Sequence, residues 1–207
     1  MNDFLGYLLL TIFIVMSPGV DFALITKRTI STGKNDGLKM ALGLTSGSII
    51  HTLAAAFGLS IILMKSAITF EIIKFLGAFY LIYLGATSFI KKKKGIASES
   101  VTNVIPQKKS AFKQGLISNI LNPKVAIFFL TFLPQFVSPG LNTSLQFIIM
   151  GCGYALLSIL WFTAIVFLLG YIRQWLMSTK VQSTIDKITG IVLIGFGAKL
   201  LFTRPNH

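Results

Sequence analysis

The chain has 207 residues, of which 54% are hydrophobic and only 12% are charged. Soluble domains carry about 25% charged residues, so the composition excludes an ordinary soluble domain and predicts an integral membrane protein. The net charge of +13 comes from basic residues between apolar runs, which favours membrane topology and anionic lipid contacts over nucleic-acid binding. Cys152 is the only cysteine, which excludes an intrachain disulfide. No metal site or cofactor is expected.

Six apolar segments are candidate transmembrane helices, since a membrane helix needs about 20 mostly apolar residues. They are residues 4–25, 40–64, 72–90, 112–136, 145–171 and 185–202. The sixth is the weakest, because charged residues flank a short apolar centre. The first lacks the positive n-region of a cleaved signal peptide, so we expect it to be retained.

Positive charge predicts the orientation of these segments. Fourteen of the nineteen Lys and Arg residues lie in the loops after segments one, three and five. Four lie at the termini and in the other two loops, and Lys124 lies inside segment four. Cytoplasmic loops carry the excess of basic residues. We therefore expect both termini to face outside, with the lysine run at 91–94 as a cytoplasmic, lipid-contacting anchor.

The two halves of the chain resemble each other. Segments one and four carry "SPGVDFAL" and "NPKVAIFF", and segments three and six carry "KFLGAFYLIYLGATSF" and "KITGIVLIGFGAKLLF". Three helices per half place the halves in opposite orientations, which is the inverted repeat of many secondary transporters. The prediction is an all-α protein with six transmembrane helices as two inverted three-helix repeats. A single membrane domain, 1–207, comprises repeat one (about 1–94), a linker (about 95–110) and repeat two (about 111–207).

Prolines interrupt the matching segments of the two halves. Pro18, followed by Gly19, and Pro123 occupy corresponding places, and a proline inside a helix costs roughly 3 kcal/mol. Broken helices in corresponding positions point to a binding site at the membrane midplane. Freed carbonyls can bind an ammonium and new helix N-termini a carboxylate, which together suit an amino acid. The alternative is two simple kinks.

Asp21 and His51 are the first two ionisable candidates for binding substrate or protons. Asp21 follows Pro18 by three residues and would lie in the first turn of a restarted helix; the alternative is an interfacial pair with Lys27 or Arg28. His51 lies inside segment two, where an ionisable group is a functional hypothesis by default. Its alternative is a core histidine bonded to a carbonyl or hydroxyl.

Lys124 is the third candidate, a charge within the fourth segment that needs a buried partner or must reach the interface. It could hold a substrate carboxylate, with additional hydrogen bonds from Asn119, Asn122 and Gln135. The alternative is an interfacial anchor.

At these residues the chain resembles the LysE/RhtB family of amino-acid exporters, over nearly its whole length. The resemblance rests on "SPGVDFAL", "GLTSGSIIH", "FEIIKFLGAFYLIYLG" and "NILNPKVAIFFLTFLPQFV". It implies export of homoserine, threonine, homoserine lactone, leucine or a similar compound across a bacterial-type cytoplasmic (inner) membrane, driven by proton entry. The pattern is closest to the homoserine and threonine branch. Many members have a second proline where this chain has Val20.

Two other classes of function compete with an exporter. Ser17, Ser46 or Ser48 with His51 and Asp21 would permit an intramembrane serine hydrolase, but no strained turn presents a nucleophile. A non-transporting scaffold or channel is the other alternative. The paired prolines favour transport, so we expect no catalytic residue and no enzyme activity. The expected partners are an amino-acid substrate, protons and lipids, with a homo-oligomer left open.

Overall fold

The computed structural model describes residues 4–61, 67–90, 110–138, 140–176 and 178–202. The described residues are helical apart from short turns and contain no β-strand, so the all-α prediction is confirmed for them. The helices are α1 (Phe4–Met16), α2 (Val20–Thr32), α3 (Lys34–Ala54), α4 (Ala67–Ile90), α5 (Ala111–Ile120), α6 (Pro123–Ile127), α7 (Thr143–Leu176) and α8 (Thr179–Phe202). A π-helical turn (Ala55–Leu59) extends α3, and π- and 3₁₀-helical turns (Phe128–Phe132, Leu133–Phe136) extend α6. The predicted lysine run at 91–94 and the linker up to residue 109 lie outside the described residues.

The helices extend beyond several of the predicted apolar segments. The first segment was expected to end at residue 25, but α2 continues to Thr32, and Gly33 ends it with a φ of 92°. The side chains of Thr29 and Thr32 bond back to carbonyls within α2. The third helix starts at Lys34 rather than at residue 40. An apolar run marks the lipid-embedded part of a helix, and the hydrogen-bonded backbone continues past it into polar residues.

Two helix pairs are bent at the prolines. α1 and α2 meet at 48°, and α5 meets the helix that starts at Pro123 at the same angle of 48°. The first bend is present although this chain has Val20 where many members of the family that it resembles have a second proline. The two breaks give the chain a pair of bent helices with matching geometry.

Length and apolar composition identify two helices as candidate membrane spans among the described residues. They are Lys34–Leu59, with a mean hydropathy of 1.4, and Thr143–Leu169, with 2.2. Each bent pair passes the same test when taken as one span, which brings the number to four. In α8 the apolar stretch is shorter, Lys187–Ala198.

The buried apolar residues form two cores on either side of the helix breaks. The first joins α1 to the turns after α6 and to α7, with Phe128, Phe132 and Phe147 at its centre. The second joins α2, α3, α5 and α7, and includes Ile25 and Leu44. α7 contributes to both cores and so connects them.

Glycines let the helices of this bundle approach closely, as in other membrane proteins. A Cβ on Gly115 of α5 would lie 2.6 Å from the carbonyl oxygen of Met40 in α3. A Cβ on Gly85 of α4 would lie 2.7 Å from the carbonyl oxygen of Gly190 in α8. Backbone-to-backbone packing thus fixes α5 on α3 and α8 on α4.

Candidate functional site

The break between α1 and α2 leaves a carbonyl that another segment of the chain binds. Pro18 has no backbone N–H, so the carbonyl of Ile14, four residues earlier, lacks its helical donor. The ammonium of Lys124 donates to that oxygen at 3.1 Å, to the Ser17 carbonyl at 3.1 Å and to Ser17 Oγ at 3.2 Å. These acceptors lie at the negative end of the α1 dipole, where a cation is favoured.

At the second break too, a side chain from a distant part of the sequence binds the carbonyl that the proline leaves without its helical donor. Pro123 leaves the Asn119 carbonyl without its helical donor, and His51 Nε2 lies 3.2 Å from that oxygen. The Asn122 N–H also donates to it, at 3.0 Å. The His51 ring stacks on Phe129 with 5.6 Å between centroids. His51 thus has the carbonyl contact of the structural alternative, with Nε2 as the donor.

Asp21 lies in the first turn of α2, as the sequence predicted, and is only 7% exposed. Its Oδ1 accepts a hydrogen bond from Ser118 Oγ at 2.9 Å, and its Oδ2 accepts one from Asn119 Nδ2 at 3.0 Å. A helix N-terminus favours negative charge. The carboxylate therefore joins the start of α2 to the end of α5.

Asn119 connects the acidic and the imidazole groups. Its side-chain amide binds Asp21, its backbone carbonyl accepts from His51, and its side-chain oxygen lies 3.4 Å from Ser48 Oγ. Gly47 makes room for it, because a Cβ there would lie 2.6 Å from Asn119 Oδ1. Asn119 is 2% exposed, so its contacts fix the position of the whole group.

A small cavity lies where the two helix breaks meet. Its volume is about 10 Å³, which is room for about one water molecule. The polar and charged residues around it are Ser17, Asp21, Asn119, Lys124, Tyr154 and Ser158, and the apolar ones are Ile14, Val15, Phe22, Val125 and Phe162. The two cores described above both contribute to its walls.

The sequence-predicted residues separate into two groups in the structure. Asp21, Asn119 and Lys124 line the cavity. His51 does not line the cavity but contacts Asn119, which does. Asn122 caps α6, because its side-chain oxygen accepts from the Lys124 N–H at 3.0 Å. Gln135 is not among the lining residues; its Nε2 donates to the Thr131 carbonyl at 2.6 Å.

Sequence reasoning missed three polar groups of the site. Ser118 binds Asp21, and Tyr154 and Ser158 line the cavity from α7. Tyr154 and Ser158 are four residues apart, which places them on one face of a helix. Two hydroxyls at that spacing within the apolar part of α7 were the available signal.

Arg28 is one of the basic residues that the charge count assigned to the loop after segment one, but it lies within α2. It is 2% exposed, and its Nη2 and Nε donate to Asp36 Oδ2 at 2.7 and 3.1 Å. Lys39 lies 3.6 Å from the other Asp36 oxygen. This ion pair joins α2 to α3.

Known proteins are similar in sequence to this chain over almost its full length. A family model described as LysE type translocator matches residues 12–204. The uncharacterized membrane protein YrhP of Bacillus subtilis (strain 168) is 38% identical over 206 residues, covering 96% of this chain and 98% of that protein. The leucine efflux protein of Salmonella typhi is 26% identical over 196 residues, covering 94% of this chain and 92% of the relative. No solved structure matches the chain.

The family match confirms the resemblance that the sequence motifs indicated. Its matched residues include both helix breaks and every residue around the cavity. Translocators carry out transport and not a chemical reaction on their substrate, which discards the hydrolase alternative. The chain therefore belongs to the LysE type translocator family and is a membrane transporter, not an enzyme.

Proposed function

We propose that this transporter exports amino acids with aliphatic side chains across the bacterial cytoplasmic membrane in exchange for protons. One observation carries the proposal: Asp21 and Lys124 line the same cavity, at the point where two bent helix pairs meet. Transporters place their substrate and ion sites at such discontinuous helices near the membrane midplane. A zwitterion needs binding groups of both charges, and a carboxylate can also take up a proton; Asp21 and Lys124 supply these groups at one cavity.

The cavity wall supports an aliphatic side chain on the substrate. Val15, Phe22, Val125 and Phe162 supply apolar surface around the charged groups, and burying apolar surface yields roughly 25 cal/mol per Å². The relatives named as leucine efflux proteins agree with this chemistry. Leucine is therefore the first substrate to test, ahead of threonine, homoserine and homoserine lactone.

Asp21 is the proposed proton carrier. As a carboxylate it accepts from Ser118 and Asn119, so it ties α2 to α5. A proton on one oxygen would turn that oxygen from an acceptor into a donor and weaken one of the two contacts. Protonation thus changes how firmly the two broken helices are held together, which is the coupling that proton exchange requires.

The transport cycle needs a wider cavity than the described conformation offers. A volume of about 10 Å³ holds about one water molecule, so this conformation has no room for an amino acid, and we call it the closed conformation. The proposed fold has six spans in two inverted repeats, and the equal bends of 48° in the two pairs support it. Alternating access would follow from rocking of one bent pair against the other. Reporter fusions after residue 94 should read cytoplasmic, and fusions at the C-terminus external.

Vesicles test the function directly. Purified protein in liposomes loaded with leucine, threonine, homoserine or lysine would be given an inward proton gradient with the membrane potential clamped. We expect the gradient to accelerate leucine efflux above that of protein-free liposomes. Efflux that ignores the gradient would discard proton exchange, and equal leakage of all solutes would favour the channel alternative.

A further inference from the structure

We propose that the Ile14 carbonyl, the Ser17 carbonyl and Ser17 Oγ form the amine subsite of this transporter, which Lys124 occupies in the closed conformation and leaves when a substrate ammonium enters. We call these three oxygens the ammonium cradle. The inference rests on the proposed function, because it assumes that the substrate carries an amine. It adds the place of that amine and the chemical class it must have.

The geometry of the cradle matches a primary ammonium. Lys124 Nζ lies 3.1, 3.1 and 3.2 Å from the three oxygens, and an ammonium group has three N–H donors. Both carbonyls lie at the C-terminal end of α1, where the helix dipole adds negative potential. The α-ammonium of an amino acid has the same charge and the same three donors as the Lys124 side chain.

The cradle faces the cavity rather than an enclosed core. Ile14, Ser17 and Lys124 all line it. A substrate in the cavity would therefore meet the acceptors as soon as Lys124 moved. Lys124 fills the subsite because the carbonyl that Pro18 leaves without a donor is costly to bury unsatisfied.

Lys124 is attached in a way that allows it to leave. Its flexible four-carbon stem starts in the first turn of α6, after Pro123. Gly19 leaves space beside the ammonium, since a Cβ there would lie 3.4 Å from Nζ. The displaced ammonium would stay near the cavity, where the substrate carboxylate would provide a new acceptor for it.

The exchange keeps the charge of the cradle constant. One ammonium leaves as another enters, so the three oxygens never lack a cation. The substrate also brings the carboxylate that neutralises Lys124. Primary amines should therefore be recognised better than N-acetylated amino acids, which have no ammonium, or quaternary amines, which have no N–H.

Chemical rescue tests the cradle without relying on transport. Lys124→Ala removes the tethered ammonium, and butylammonium supplies a free one. We expect butylammonium to raise the melting temperature of the detergent-solubilised variant by about 3–6 °C at ten times its dissociation constant. Tetramethylammonium should give no rise. The matched control is Lys39→Ala, which removes an exposed lysine and should not respond to butylammonium.

Two further variants show where butylammonium binds and provide a substitute if Lys124→Ala does not fold. Ser17→Ala added to Lys124→Ala removes one of the three acceptors, so it should reduce the butylammonium response at least in part. Lys124→Met replaces Lys124→Ala if the latter does not fold, because its side chain ends one atom before Nζ and retains the packing of the stem. Ammonium chloride should raise the melting temperature of Lys124→Met, and tetramethylammonium chloride should not.

An equal rise in melting temperature with primary and quaternary cations, or no rise with either, would overturn the subsite. Leucine efflux by the wild type is measured separately, so a failed rescue with intact efflux leaves the proposed function standing. Rescue without leucine efflux would discard the proposed export of leucine and leave only a site for primary ammonium groups.

Discussion

The ammonium of Lys124 lies 3.1 Å from the carbonyl oxygen of Ile14, although the two residues belong to different bent helix pairs. That carbonyl lacks a helical donor because Pro18 has no N–H. At the other break, Pro123 removes the helical donor of the Asn119 carbonyl, which accepts instead from His51 and from the Asn122 N–H. Each break is thus completed by a side chain from a distant part of the sequence. A shift of one pair against the other would therefore break the Lys124 contact and take that donor away from the Ile14 carbonyl.

Substitution of His51 separates a structural from a proton-binding role. Glutamine can donate to the Asn119 carbonyl but cannot take up a proton, so we expect His51→Gln to retain leucine efflux and its response to a pH gradient. His51→Phe cannot donate and should lower the stability by about 1 kcal/mol, because the Asn122 N–H still serves that carbonyl. Melting curves and vesicle efflux measure the two effects. Loss of the pH response in His51→Gln would assign His51 a role in proton transfer.

Asp21→Asn tests the proposed proton carrier. Asparagine has the size of aspartate but does not titrate, so the variant should insert into the membrane while efflux no longer responds to an imposed pH gradient. Its response should fall to that of protein-free liposomes. The matched control is Ser118→Ala, which removes one donor to the carboxylate and leaves a titratable group. An Asp21→Asn variant with wild-type efflux would exclude the carboxylate from coupling.

The sequence predicted the helix breaks and three of the residues around the cavity, Asp21, Asn119 and Lys124, because these depend on local chemistry. A proline breaks the hydrogen-bond ladder wherever it stands in a helix, and charged residues inside apolar runs require polar surroundings. The side chains that complete the breaks were not predictable in this way. Lys124 and Ile14 are 110 positions apart, and His51 and Asn119 are 68 apart. Such contacts depend on how the helices pack, which no single segment encodes.

Arg28 and Gln135 are two further residues whose contacts could not be predicted from the segment in which they lie. The charge count assigned Arg28 to the cytoplasmic loop after segment one, yet it lies within α2 and is buried against Asp36. Gln135 was expected to add a hydrogen bond to a substrate carboxylate held by Lys124. The turns after α6 change the helical period, and its amide bonds to the local backbone instead.

Gly115 tests the close contact between α5 and α3. A Cβ there would lie 2.6 Å from the Met40 carbonyl oxygen and 3.1 Å from the Leu44 nitrogen, and backbone atoms cannot rotate away. We expect Gly115→Ala to lower the stability by about 1–3 kcal/mol, the usual cost of overpacking. Gly195→Ala is the control, because a Cβ at Gly195 would meet nothing within 4 Å. Equal melting temperatures for the two variants would contradict this packing.

Asp36→Asn removes the anion that neutralises the buried Arg28 guanidinium. Breaking a fully buried ion pair costs about 3–5 kcal/mol. The Asp36 side chain is 25% exposed, so water screens part of the interaction and we expect a loss of about 1–3 kcal/mol. In a chain of this size, that corresponds to a melting temperature lower by roughly 2–12 °C.

Lys39→Gln is the matched control for Asp36→Asn. It removes the exposed partner of the same carboxylate, at 3.6 Å and 64% exposed, and exposed pairs contribute about 0–1 kcal/mol. Because neither Asp36 nor Lys39 lines the cavity, both variants should retain the response of efflux to a pH gradient. Asp21→Asn should give the opposite pattern, with coupling lost in an inserted protein. If Asp36→Asn were as stable as Lys39→Gln, the contact between α2 and α3 would not depend on this ion pair.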